Sequence, residues 1–442
     1  MLKTLRDALK VQEIRKRLLY TFFILVVVRI GCQVPIPGTD SSVIKDLTTQ
    51  FAGGAFSFFD AMTGGSFENM SLFALNITPY ITASIIMQLL TIAIPALEEM
   101  QKDGEEGRKK IAEFTRYMTI VLALIESIAM AIGFGSQGLF GNKASMSTAE
   151  YVWVIAVAVI TMTAGSSLVM WLGETVNEKG IGNGISIVLL INIVARIPND
   201  FASLFDKYVM NGSSVGAKGL GAILIVVATL VIIALVVILQ GGERRIPVQY
   251  AKKMQGRKMV GGQSSHIPLK VNTAGVIPII FAQSIFQFPV VIARFITGGT
   301  PEWTKYITSS YWCKGGSDIK YSIGFIIYII MVIGFAYFYT SITFNPMEVA
   351  DNMKKQGGFI PGIRPGKPTT DYLNTMLNYI VFIGAVGLLI VAAIPIVFSG
   401  ITGSNLSIGG TSMIIIVGVV LETLKQIESM MVVRNYKGFL TE

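Results

Sequence analysis

Residues Phe56–Pro95 read FSFFDAMTGGSFENMSLFALNITPYITASIIMQLLTIAIP, and they divide into two unequal pieces. The first, Phe56–Thr63, is one or two apolar helical turns ended by Gly64-Gly65. It is too short to cross a bilayer, which needs about 20 apolar residues. The second, Ser71–Ile94, is long enough. A half-helix packed before a full span puts irregular backbone at membrane depth. Lipid tolerates such backbone only where it is buried in protein or lines a wet cavity. The expectation is a chain that encloses a cavity, with the half-helix inside it.

Outward from this stretch the same solvent logic continues. The chain has 442 residues, 52% hydrophobic and 14% charged; a soluble domain carries about 25% charged residues, so this is a polytopic membrane protein. Apolar runs lie near 18–36, 71–95, 114–134, 150–172, 184–204, 219–240, 272–295, 320–342, 373–397 and 409–425, about ten spans. The expected fold is all-α, with two five-helix halves at 18–210 and 211–425. Five spans per half invert the second half relative to the first. Thr78-Pro79 with Gln88 and Pro95, and Ile277-Pro278 with Gln283, Gln287 and Pro289, are loosely alike. Inverted repeats with Pro-broken helices place a site at the repeat interface near the midplane. The alternative stays open, because proline is common in membrane helices anyway.

Lys and Arg set orientation. They crowd the N-terminus (Lys3 to Arg17), the loop after the second span (Lys102 to Lys110), loop 241–270 and loop 343–371; the loop at 35–70 has only Lys45 and that at 398–411 none. Both termini, including the tail 426–442, then lie in the cytosol. The net charge of +9 is a cytosolic-face charge, which suits anionic lipids or an anionic partner. No small-residue cleavage site follows the first apolar run, so that run reads as a span and not a signal peptide. Residues 1–17 are amphipathic, either a helix on the membrane surface or a solvated arm. Cys32 and Cys313 fall on the outer side; two unlinked thiols are favoured, with pairing left open.

Loop 241–270 differs from the rest. Arg245–Tyr250 and Ser265–Val271 alternate in polarity around a basic, Gly-rich tip, which predicts a hairpin-like cytosolic projection. Loop 343–371 carries enough Pro and Gly for turns to set its shape.

The chemistry of an enzyme is missing. His266 is the only histidine, which removes His-pair metal sites and a His-based triad. Glu98-Glu99 and Glu105-Glu106 read as a solvated face. Gly180-Ile-Gly-Asn-Gly184 lacks a Walker lysine and a preceding strand, so it reads as a close-packed turn. No enzymatic activity and no metal or cofactor is expected; any driving energy must come from a partner. Glu126 is the deepest intramembrane acid and a functional candidate by default. Arg29, Arg294 and Glu422 lie nearer span ends, where long side chains snorkel. Neutral Asn76, Gln88, Asn192, Gln283 and Gln287 suit a pathway that prefers no ion. That weighs against a proton-coupled transporter.

The stretch 56–95, together with WLGETVNEKGIGNGISI at 171–187, GERRIPVQYAKK at 242–253, VNTAGVIPIIFAQSI at 271–285 and NPMEVADNMKKQGGFIPGIRPG at 345–366, resembles the SecY family of protein-conducting channels. The resemblance runs in order over nearly the whole chain. It implies two five-helix halves around an hourglass pore, passing unfolded secretory polypeptide and releasing apolar segments sideways into the plasma membrane of a bacterium. The matching ring positions are Ile81, Ile85, Ile185, Leu189, Ile280 and Ile415. Aliphatic rings obstruct ions by dewetting. The half-helix 56–65 resembles the plug, here Phe56, Phe58, Phe59, Asp60, Met62, Gly64 and Gly65. The second and seventh spans resemble the walls of a lateral gate, with Gln88, Glu126, Gln283 and Ser284 as its polar patch. Glu126 departs from the amide expected there, which leaves open a protonated carboxyl or an altered resting bias. The basic loops resemble a docking site for the SecA ATPase and the ribosome. There Arg244, Arg245, Lys252, Lys253, Arg257 and Lys258 would meet rRNA phosphates, and Arg364 matches a position used in motor-driven export. The family further implies the small membrane subunits SecE and SecG and signal-bearing precursors.

Overall fold

The computed structural model describes residues 6, 9–50, 60, 62–135, 138–141, 147–206, 210, 215–250, 253–255, 258–260, 264–297, 301–308, 311–313, 320–402 and 410–438. The chain forms two compact units, Met1–Asn211 with Gly418–Glu442, and Gly212–Val417.

The first unit contains α1 (Gln12–Gly31), α2 (Ser41–Gln50), α3 (Thr78–Ala93), α4 (Pro95–Lys102), α5 (Glu105–Gly135), α6 (Thr148–Lys179) and α7 (Gly184–Phe205). Start signals are local. Pro79 and Pro95 stand in the first turns of α3 and α4, where a missing N–H costs nothing. Glu150 reaches back to accept from Ser147 N at 3.0 Å ahead of α6, half of a capping box. The Asn183 side chain accepts from Ile185 N and Ser186 N and caps α7. The α3 and α4 helices are bent by 105° at Ile94.

Packing between α5 and α6 uses small residues. Thr115, Thr119, Ala123 and Ser127 are buried at four-residue spacing along α5, one face of a helix. Ser127 Oγ lies 3.0 Å from Thr163 Oγ1 of α6. Small and hydroxyl residues let membrane helices approach closely and bond across the seam. The opposite side is apolar and open: Phe22, Phe23 and Ile30 on α1, Ile125 and Ile132 on α5, and Trp153 and Ile160 on α6 are all more than half exposed. Such a surface needs a hydrocarbon solvent.

The Gly-rich turn before α7 is packed solid, as its sequence predicts. A Cβ at Gly184 would stand 2.0 Å from Gly173 O. Ile181 N donates to Thr21 Oγ1 of α1 at 3.1 Å, and Gly182 N donates to Gln426 Oε1 at 2.6 Å. Ile14, Ile181 and Ile427 form a buried cluster beneath it.

The second unit holds α8 (Val215–Gly241), β1 (Glu243–Tyr250), β2 (Lys253–Gln255), β3 (Lys258–Val260), β4 (Ser264–Lys270), α9 (Ile277–Thr297), α10 (Thr304–Ile307), α11 (Ile323–Thr343), α12 (Pro346–Lys355), β5 (Gly358–Phe359) and α13 (Lys367–Thr402). The final helix, α14 (Gly410–Gly438), runs across the boundary between the units. The hairpin expected at 241–270 is present: β1 pairs antiparallel with β4, Glu243 opposite Lys270 through Gln249 opposite Ser264, and β2 with β3. β5 adds to the free edge of β1, Gln249 opposite Phe359. Ile246, Val248 and Leu269 bury one face against Met353, Ile360, Leu373 and Ile380. Loop 343–371 is not turns alone, since α12 lies within it, capped by Asn345, whose side chain accepts from Met347 N and Glu348 N.

Four apolar helical stretches, Glu105–Gly135, Thr148–Lys179, Lys320–Lys355 and Lys367–Val397, are long enough to span a membrane among the described residues, and the α3–α4 pair reaches that length only if its two bent helices are taken together. The helices α7, α8 and α9 are also apolar, over Gly184–Asn199, Thr229–Gly241 and Ile277–Phe286. Pro198 and Pro289 lie inside α7 and α9, which continue through them. The protein is a multi-pass membrane protein.

Candidate functional site

The expected second span is shorter than its apolar run. Ser71–Ile77 are not helical, and α3 begins at Thr78. The residues ahead of it bond elsewhere. Leu72 N donates to Val34 O at 2.8 Å, and Ile36 N to Met70 O at 2.9 Å. Ser66 Oγ lies within hydrogen-bonding distance of both Thr63 O and Phe73 O, with one proton to donate between them, and Ser166 Oγ of α6 donates to Asn76 O at 2.9 Å. With Met70 and Asn76 at positive φ, this stretch folds back as a compact, buried knot. Helix walls press on it closely: a Cβ at Gly31 would meet the Phe73 ring, and one at Gly165 would meet Leu72 O, both at 2.0 Å.

At the start of the knot stands Asp60, 1% exposed. Its carboxylate accepts from Glu68 N at 2.9 Å and pairs with the guanidinium of Arg196 on α7. Arg196 also reaches Glu68 Oε2 at 3.1 Å. From α1, Arg29 Nη1 donates to Gly64 O at 3.1 Å. Arg29 therefore does not snorkel; it turns inward onto the Gly64-Gly65 turn. Gly64 has φ +69°, and a Cβ there would stand 2.7 Å from Arg29 Nη1 and 2.9 Å from Asn192 Cα. Only glycine fits, by conformation and by space. Asn192 is fully buried beside this turn, its amide without a hydrogen-bond partner among the described residues. Asn76 Nδ2 donates to Thr63 O at 3.4 Å.

Of the expected plug residues, Asp60, Met62, Gly64 and Gly65 belong to this knot; Phe56, Phe58 and Phe59 lie outside the described residues. Ile81 and Ile85 are half-buried on α3, Ile185 half-buried and Leu189 buried on α7, all in the first unit. Ile280 on α9 and Ile415 on α14 are buried in the second. Gln88 and Glu126 are half-buried on α3 and α5. Gln283 is half-buried and Ser284 exposed on α9, where the Ser284 hydroxyl donates to Ile280 O at 2.8 Å. Arg244 and Arg245 are exposed on β1, and Arg245 is ion-paired with Glu243 at 2.6 Å. Lys253 and Lys258 stand on β2 and β3, Arg364 is exposed in the turn before α13, and Lys252 and Arg257 lie outside the described residues. His266 is exposed on β4, and Glu98, Glu99, Glu105 and Glu106, read as loop residues, are exposed on α4 and in the first turn of α5. Both cysteines are free. Among the described residues no group of His, Cys, Asp and Glu could hold a metal ion. Arg196 escaped the reading of the sequence, although an arginine inside the apolar run 184–204 was the signal that could have found it.

The family model described as SecY matches residues 71–424. The chain belongs to the SecY family. The protein translocase subunit SecY of Streptomyces scabiei is 42% identical over 447 residues, with all of both chains covered. That of Halalkalibacterium halodurans is also 42% identical over the whole of both chains, and that of Mycobacterium tuberculosis 41%. Among solved structures, one described as a protein-conducting channel superposes with a TM-score of 0.64 at 20% identity, covering 94% of this chain and 92% of that one. Sec61 in the canine ribosome–channel complex gives 0.62 at 19%, with the same coverage. At those identities the likeness is one of fold.

Proposed function

We propose that this chain is the central subunit of a passive, gated channel that passes unfolded secretory polypeptide across the bacterial plasma membrane and releases apolar segments into it. The observation that carries the reading is full-length identity of 42% to protein translocase subunits from bacteria. In this reading ten helices cross the membrane with both termini in the cytosol, arranged as two inverted halves, 18–210 and 211–425. Ile81, Ile85, Ile185, Leu189, Ile280 and Ile415 close the waist, a dewetting barrier that yields to varied side chains without specific bonds. Residues 56–65 form the plug. Gln88, Glu126, Gln283 and Ser284 line the lateral gate, where Glu126 holds the closed state; Glu126→Gln is expected to raise translocation of precursors with weak signals.

The basic hairpin Arg244–Lys258 and Arg364 serve a motor or a ribosome, as the exposure of Arg244, Arg245 and Arg364 supports. The partners are SecE, SecG, the SecA ATPase, the ribosome and anionic lipids at the cytosolic face. Ribosome docking should weaken steeply as salt rises. Arg364→Glu should abolish motor-driven export while leaving the fold intact. The deciding experiment reconstitutes the chain with its small partners and the SecA motor in vesicles, and follows ATP-dependent protection of a signal-bearing precursor from protease. Protection that requires both signal and ATP is the expected result. No protection, with motor and partners bound, would return the chain to the class of small-solute transporters.

A further inference from the structure

Two arginines in membrane-spanning helices, Arg29 and Arg196, converge on one Gly-Gly turn, and neither faces lipid or solvent as its main contact. The buried Asp60 carboxylate is their counterpart. Intramembrane charges are costly and persist where they serve a site, yet nothing in the ring, gate or docking loops uses these. We infer that Arg196 and Arg29 are positioning residues that latch the plug turn in its seat, with Asp60 as the anchor. The inference rests on the reading of residues 56–65 as the plug.

The geometry makes the latch two-pointed. Arg196 on α7 grips the carboxylates of Asp60 and Glu68, and Arg29 on α1 grips the carbonyl of Gly64. A Cβ at Gly64 would meet Arg29 Nη1 at 2.7 Å, and one at Gly65 would stand 3.8 Å from Arg196 Nη1. Charge and hydrogen bonding onto backbone and carboxylate thus add to the apolar packing of Met62, Phe67 and Met70, which are buried in the same segment. The side chains of Arg196 and Glu68 are 20% and 27% exposed, whereas that of Asp60 is 2%. The arginine is thus less deeply buried than its anchor. A buried ion pair adds little net stability, but removing one partner leaves an uncompensated charge and is strongly unfavourable. That asymmetry gives the latch a signature that ordinary packing lacks: the single variant must be worse than the double.

The test measures ion leak through idle vesicles holding the chain with its small partners, beside hydrogen exchange across residues 62–70. Arg196→Gln is expected to raise the leak by about tenfold or more, given the cost of stranding a buried charge, and to speed exchange across 62–70. Arg196→Lys should keep the leak near the wild-type level. The double variant Asp60→Asn/Arg196→Gln, which removes both charges, should leak less than Arg196→Gln alone. A wild-type leak in Arg196→Gln, or a double variant as leaky as the single, would overturn the latch. If Arg196→Gln does not fold, the lysine and double variants carry the same comparison. Precursor protection is measured on the wild-type chain separately. Its failure removes the channel reading, while unchanged leak and exchange in a translocating chain remove only the latch.

Discussion

Gly184 shows how tightly the residue scale is set. Its missing Cβ is what lets the carbonyl of Gly173 lie beside it, and backbone cannot move aside as a flexible side chain can. Gly184→Ala is expected to cost about 2 kcal/mol or more by overpacking, seen as a lowered midpoint of thermal unfolding in detergent. Thr21 joins α1 to the same turn by accepting from Ile181 N and donating to Arg17 O. Thr21→Val keeps the shape and strands the buried amide, for a loss of about 1–3 kcal/mol in the same assay. At Asp40 the carboxylate accepts from Ser42 N and Oγ ahead of α2, and these bonds hold its pKa below the usual range. A group with a lowered folded pKa stabilises above its unfolded pKa and loses that contribution as pH falls through the folded value. Exchange of amides in 41–50, corrected for intrinsic rates, should therefore be slow at neutral pH and rise below the ordinary carboxylate range. Arg29 was misread for a physical reason: snorkelling is the default for a long cation near a span end, and its true acceptor lies 35 residues away in sequence.

At the scale of elements, the legible ones are those whose pattern is local. The β1–β4 hairpin follows from alternation, since Ile246 and Val248 point to one face and their neighbours to the other. The α12 helix was equally local, because Asn345-Pro346 is a cap followed by a first-turn proline, yet the Gly and Pro around it masked the signal. The start of α3 was not local. Ser71–Ile77 are as apolar as a span, and what keeps them out of the helix is bonding to Val34, Ser66 and Ser166. The hairpin and α12 share one buried cluster around Leu373, which is fully buried. Leu373→Ala should cost about 2–5 kcal/mol as a cavity. Its hydrogen exchange should rise in both 243–250 and 346–355 and stay unchanged in the first unit.

For the whole molecule, charge asymmetry between loops predicts sidedness. In a variant with Cys32 and Cys313 replaced, a cysteine at Ser265 should react with an impermeant maleimide only from the cytosolic side, and one at Glu302 only from outside. Both positions are exposed. The reverse pattern would invert the orientation.

Composition and apolar runs by themselves determined that the chain lives in lipid, alternating polarity marked its hairpin, and the long motifs at 171–187, 242–253, 271–285 and 345–366 carried the family it resembles. These are properties of short windows, in which each residue's solvent preference adds to that of its neighbours. Only the tertiary structure decided that an apolar run starts as a knot, that Arg29 faces inward and that Arg196 meets Asp60. Those outcomes depend on partners far away in sequence. In a medium without water, a buried charge or an unpaired amide takes whatever partner the fold brings to it.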